Sequence, residues 1–171
     1  MKLWILCLPG QFHNVSGKAL MEDYKKILVG TDFSENADVA FEHAISLASK
    51  YRARLYIVHV INIAPLATYE PYMPVIDFSD FSRNVEARLQ KDYIPRIPPS
   101  ITAESKVLSG YPAVEMAAFA DQEGVDLIVV GAHGESGLVY TLFGSVADRL
   151  VRKARCSVLV IRSSSATYNQ E

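Results

Sequence analysis

Gly124-Val-Asp-Leu-Ile-Val-Val-Gly131-Ala-His-Gly134, then nine residues, then Gly144-Ser145, is the stretch whose reading decides the fold. Val125 to Val130 is a short apolar run broken only by Asp126, which reads as a strand buried on both faces. Glycines at its end let the backbone take positive φ and come close to a ligand. Exposed amides in such a turn form a nest for anions. Gly144-Ser145 opens a helix, whose free first-turn amides and partial positive charge suit an anion, as does the Ser145 hydroxyl. A single glycine pair reads more simply as a strand-end turn before a Ser-capped helix. The double turn at a strand end favours a polyphosphate cradle.

Outward from this stretch the chain alternates regularly. Lys25-Lys-Ile-Leu-Val-Gly30 and Leu55-Tyr-Ile-Val-His-Val-Ile61 read as buried strands. Ser34 is placed to cap a helix that buries Ala37, Ala40, Phe41, Ala44, Ile45 and Ala48 on one face. A Pro- and Tyr-containing stretch runs from Ile63 to about Asp80, and a polar helix from about Phe81 to near Pro95. Ile101 to Val107 alternates as a half-exposed strand. Pro112 starts a helix that Gly124 closes, Ser145 to Ala154 is another, and Ser157-Val-Leu-Val-Ile161 is the last strand. The polar tail from Ser163 is expected to fray.

The order β-α-β-α-β-α-β-α-β implies an open, doubly wound five-stranded parallel sheet with helices on both faces, Rossmann-like. Ligands then sit outside the carboxyl ends of the strands, where strand order switches. The strand ends that matter are Gly30-Thr31-Asp32 and Gly131-Ala132-His133-Gly134.

The chain has 171 residues, 50% of them hydrophobic and 21% charged, which excludes a disordered or fibrous protein. That length suits one domain, at Met21 to Glu171, with residues 1–20 as an extension, a leader or an upstream start. The run Leu3 to Leu8 is too short to span a bilayer. Asn14-Val15-Ser16 is a sequon of the kind that recurs by chance. A net charge of −2 argues against partnership with nucleic acid or a membrane surface. Two cysteines, Cys7 and Cys156, suit a reducing, cytoplasmic compartment.

The whole resembles the universal stress protein family, in its nucleotide-binding branch. That branch carries Gly-x2-Gly-x9-Gly-Ser/Thr, matched here by Gly131, Gly134, Gly144 and Ser145. Tyr24 to Ser34 resembles its first strand and turn, His59-Val60 the end of its second strand, and Gly124 to Gly134 its fourth strand. The likeness runs from about Lys25 to Arg162. It implies strand order 3-2-1-4-5 and ATP as ligand, with Mg²⁺ on the phosphate oxygens. It further implies that Gly30, Thr31 and Asp32 close the first turn near ribose and phosphates, and that the Val60 main chain meets adenine. Gly131, His133 and Gly134 would line the ribose and phosphate side, and Gly144, Ser145 and Val146 would hold the phosphates. It also implies a homodimer through the last strand, whose run Val158 to Ile161 has neither charge nor proline to protect an open edge; the alternatives are a buried internal strand, or a covering strand supplied by Leu3 to Leu8. One departure stands out: Glu135 occupies a position that is often basic in the family, and an acid there opposes phosphate.

Other chemistry is missing. The sequence holds no Gly-x4-Gly-Lys-Ser/Thr loop, and no Gly-x-Gly-x2-Gly follows the first strand. Ser136 lacks the glycine spacing of a nucleophile elbow. His13, His43, His59 and His133 show no metal-ligand spacing. His43 and His59 read as structural histidines and Cys156 as an inert thiol, while Tyr69 to Pro74 reads as a surface loop or a lid. No catalytic or metal-ligating set emerges. The function that the resemblance implies is a nucleotide-dependent stress-response switch. The alternatives are a slow ATPase or phosphoryl- or nucleotidyl-transferring relative, and a nucleotide-free dimerisation module.

Overall fold

The structure is a computed structural model, and it describes residues 4–6, 24–62, 78–134 and 143–162. The main sheet is built from β2 (Lys26–Gly30), β3 (Arg54–Asn62), β4 (Ala103–Gly110), β5 (Leu127–Gly131) and β6 (Ser157–Ile161). Numbered among themselves, these five parallel strands lie in the order 3-2-1-4-5. The alternation of the sequence therefore produced the expected doubly wound sheet.

The connecting helices are α1 (Glu35–Tyr51), α2 (Phe78–Asp92), α3 (Pro112–Glu123) and α4 (Ser145–Lys153). Residues of α1 and α2 pack with Ile27, Val29, Ile57 and Val129 on one face of the sheet. Those of α3 and α4 pack with Leu28, Val58, Ile128 and Val130 on the other. Ser34 caps α1, its Oγ accepting from the Ala37 amide at 3.2 Å. Gly124 closes α3 at φ 64°, a conformation that glycine takes without steric cost. The polar helix starts three residues earlier than expected and stops at Asp92, and Pro95 sits inside the short 3-10 turn Ile94–Arg96. β4 runs on to Gly110 because it follows the long β3 strand, from Leu55↔Ala103 to Asn62↔Gly110.

The outer edge of β6 carries a strand from the first residues of the chain. Trp4–Leu6, from the stretch read as an extension, forms β1 and pairs antiparallel with it, Trp4↔Val160, Ile5↔Leu159 and Leu6↔Val158. The sheet is therefore six-stranded, with one antiparallel edge formed by β1. The apolar run is not an exposed surface. Val158 and Val160 face the α3/α4 core and Leu159 and Ile161 the α1 core, all at 8% exposure or less. A strand covered on both faces reads as continuously apolar whether or not a partner lies beside it.

Leu150 anchors α4, and with it the end of the helix that approaches the site. It is fully buried in the α3/α4 core. Leu150→Ala is expected to cost about 2–5 kcal/mol through the lost apolar burial and the cavity left behind. Urea unfolding checks this as a lower midpoint with an unchanged slope.

Candidate functional site

β2 and β5 are hydrogen-bonded neighbours, paired at Ile27↔Leu127, Leu28↔Ile128 and Val29↔Val129. The chain proceeds from β2 through β3 to β4 on one side and then returns to β5 on the other. The carboxyl ends of β2 and β5 therefore flank the point where strand order switches, the usual position of a ligand crevice in such sheets. Both turns singled out in the sequence lie there.

The first turn is held from three directions. The Thr31 amide donates to the Val58 carbonyl at 2.9 Å. His59 Nδ1–H donates to the Thr31 carbonyl at 2.9 Å, since a carbonyl can only accept. The Thr31 hydroxyl, buried, meets the Tyr93 hydroxyl at 2.7 Å and also accepts from the Phe33 amide at 3.0 Å. Burial pushes the Tyr93 phenol up to about 12, so it stays protonated at any ordinary pH. Asp32 Oδ1 in turn accepts from the Ser34 amide at 3.1 Å.

Phe33, between these two, has φ 65°. A non-glycine residue there carries strain on the order of 1–3 kcal/mol. Its ring lies 4.8 Å from that of His59 and 5.9 Å from that of Tyr93, with the Arg88 guanidinium carbon 4.0 Å from its centroid. A cation over an aromatic face contributes about 0.5–1 kcal/mol where, as with Arg88, the cation is more than half exposed, enough to offset part of the strain.

The second turn and α4 form one unit. The Ala132 amide donates to the Ile161 carbonyl at 2.7 Å, and the Gly144 amide to the Ala132 carbonyl at 2.6 Å. Gly144 is the N-cap of α4 and brings no side chain to its first-turn amides, whereas α1 is capped by Ser34. Ser145 is exposed and Val146 half-buried on that first turn.

The motif glycines serve a different purpose from the one expected. Gly131, Gly134 and Gly144 are not among the positive-φ residues. What they provide is space. A Cβ on Gly134 would collide with the Asp32 carboxylate. On Gly131 it would lie 3.0 Å from the Asn36 carbonyl oxygen, and on Gly144 3.3 Å from that of Ala132. The space that Gly30 leaves is filled by Met116 of α3, since a Cβ there would lie 2.7 Å from its sulfur.

The structure thus brings Thr31, Asp32, Gly131, His133, Gly134, Gly144, Ser145 and Val146 to one end of the sheet. Val60, 8% exposed, stands on β3 two residues past the carbonyl that holds Thr31. Sequence reasoning missed Phe33, Arg88 and Tyr93, and it read His59 as structural only. Thr31 and Tyr93 are 62 residues apart, and no local pattern announces such a contact. Cys156, half-buried before β6, has its thiol pushed up to about 11 by burial, in keeping with an inert role. Glu135, Ser136, Tyr69 to Pro74, His13, Cys7 and the tail from Ser163 lie outside the described residues. Among the described residues, no three His, Cys, Asp or Glu side chains converge to hold a metal, and no helix is long and apolar enough to cross a membrane. A basic concavity of about 530 Å³, lined by Lys25, Lys26, Arg52 and Arg54, lies at the opposite end of the strands.

Fold and site together define a doubly wound α/β protein with two glycine-containing turns at its switch point. The family model of the universal stress protein family matches residues 23–162, and the chain belongs to that family. A putative universal stress protein of Staphylococcus haemolyticus is 34% identical over 146 residues, covering 84% of this chain and 87% of that one. Universal stress protein UspA from Lactobacillus plantarum superposes with a TM-score of 0.68 at 26% identity, over 81% of this chain and 98% of that one. A universal stress protein in complex with cAMP superposes with a TM-score of 0.55 at 25% identity, covering 81% of this chain and 97% of that one.

Burial lowers the pKa of His59 from its ordinary 6.5, against the opposing effect of its bond to the Thr31 carbonyl. The fold thus favours neutral imidazole. The stability this contributes is present above the ordinary histidine value and is lost as pH falls through the lower folded one. Urea midpoints measured from pH 7.5 down to 5 are expected to fall, and less steeply in His59→Gln.

Proposed function

We propose that the chain binds ATP between the two strand-end turns and acts in the cytoplasm as a nucleotide-dependent stress-response switch rather than as a dedicated catalyst. The observation that carries the reading is the first turn of α4. Its amides have no capping side chain from Gly144 and lie against the 132–134 turn, a ready site for phosphate oxygens. In this reading Gly131, His133 and Gly134 face ribose and phosphates, Gly144, Ser145 and Val146 hold the phosphates, and Asp32 closes the opposite wall beside Gly30 and Thr31. The Val60 main chain meets adenine. The relative in complex with cAMP supports an adenine ligand. Mg²⁺ fits this setting: with no three-carboxylate or histidine cluster among the described residues, it would take its ligands mainly from phosphate and water.

Gly144→Val should abolish ATP binding while leaving the sheet folded, because even its Cβ would lie 3.3 Å from the Ala132 oxygen. Ser145→Ala should be milder, about 0.5–1.5 kcal/mol for one hydrogen bond. Calorimetric titration checks both, and undiminished binding by folded Gly144→Val would sink the reading. Turnover of labelled ATP separates the switch from a slow ATPase.

The homodimer through the last strand has to be reconciled with β1, which pairs with Val158 to Val160 on that edge. Such a dimer forms only when β1 leaves, because each edge strand accepts one neighbour on that side. Removing residues 1–20 is expected to shift the sedimentation mass toward dimer at tens of micromolar, roughly where weak interfaces still associate. Identical masses with and without residues 1–20 would refute this.

A further inference from the structure

Phe33 is an anomaly. Its φ of 65° is a conformation that glycine or asparagine ordinarily supplies, and it lies in the turn that carries Asp32. An aromatic side chain at such a position is understandable only if the ring does something that a hydrogen atom cannot. The ring has two close neighbours. His59 of β3 stacks at 4.8 Å, tilted by 32°, and the Arg88 guanidinium of α2 stands 4.0 Å from its centroid.

Arg88 is itself oriented. Its Nε is 3.3 Å from Asp92 Oδ2, one helical turn along. It follows Val85 by three residues and precedes Leu89, both buried apolar residues of this helix, so it lies at the margin of the buried face. His59 reaches past the ring to the Thr31 carbonyl, so the same imidazole supports the turn from both its backbone and its side chain. These contacts meet at the turn that places Asp32, whose carboxylate fills the space that Gly134 leaves open.

We propose that Phe33 is the positioning residue of the Asp32 turn and that Arg88 is its clamp. The clamped ring holds the strained backbone that sets Asp32 against Gly134, and it couples α2 to the ligand end of the sheet. Displacing Arg88 releases the ring, lets the Phe33 backbone relax toward negative φ and turns the Asp32 carboxylate away from Gly134. The effect on nucleotide affinity rests on the function proposed above, whereas the clamp itself does not.

Amide hydrogen exchange on the ligand-free, full-length protein tests the clamp directly. The Phe33 amide is bonded to Thr31 Oγ1 and the Ser34 amide to Asp32 Oδ1, so both report on the turn. In Arg88→Ala both should exchange about 2- to 5-fold faster, the equivalent of losing one exposed cation–π contact, while the Leu28 amide in the core of β2 stays as slow as before. Phe33→Gly removes strain and ring together. If backbone strain were the only issue, the Ser34 amide would become better protected; under the clamp it exchanges faster, and Phe33→Tyr restores the original rate. ATP affinity is then expected to fall in Arg88→Ala and Phe33→Gly and to recover in Phe33→Tyr. Unchanged exchange at Ser34 in both Arg88→Ala and Phe33→Gly would overturn the proposal. Faster exchange in a protein whose wild type binds no ATP would uphold the clamp and defeat the nucleotide reading.

Discussion

The pairing of β2 with β5 joins two segments a hundred residues apart, and the rest of the site depends on its register. Ile27, Leu28 and Val29 lie beside Leu127, Ile128 and Val129, all at 3% exposure or less. Both faces of these strands are covered by helices, so a slip of one residue would turn every side chain into the wrong core. It would also move the two strand-end turns by about 3.3 Å relative to each other. Asp32 would then lose the space beside Gly134, and the space between the turns would change shape. Core packing on both faces is therefore what sets the spacing of the candidate ligand groups.

Within that frame glycine and phenylalanine exchange their usual roles. The three motif glycines have no positive φ; a Cβ would collide with a carboxylate at Gly134 and would crowd carbonyl oxygens at Gly131 and Gly144. The unusual backbone belongs to Phe33, which lies within a stack of His59 and Arg88. Close approach and positive φ are two separate demands. Only the first explains the motif here.

The last strand shows how one pattern admits two structures. Four consecutive apolar residues, Val158 to Ile161, are what an unprotected edge looks like and also what a strand buried on both faces looks like. Side chains point above and below the sheet, whereas pairing with a neighbour uses backbone amides and carbonyls in its plane. The side-chain pattern is therefore silent about the occupant of the edge, and here Trp4–Leu6 occupies it.

The alternation of buried runs with helical faces, the caps at Ser34, Pro112 and Gly124, and the glycine spacing after β5 are local features. From them the sequence alone determined the doubly wound sheet and the end of it at which the two glycine turns meet. The carboxylate beside Gly134, the Tyr93 hydroxyl on Thr31, the His59 bond to the Thr31 carbonyl and the Arg88 guanidinium over the Phe33 ring were decided only in the tertiary structure. The reason is physical. Local propensity and periodicity act through neighbours within a turn or two of chain, whereas these contacts join residues far apart in sequence and exist only once the sheet has brought β2, β3, β5 and α2 to one edge.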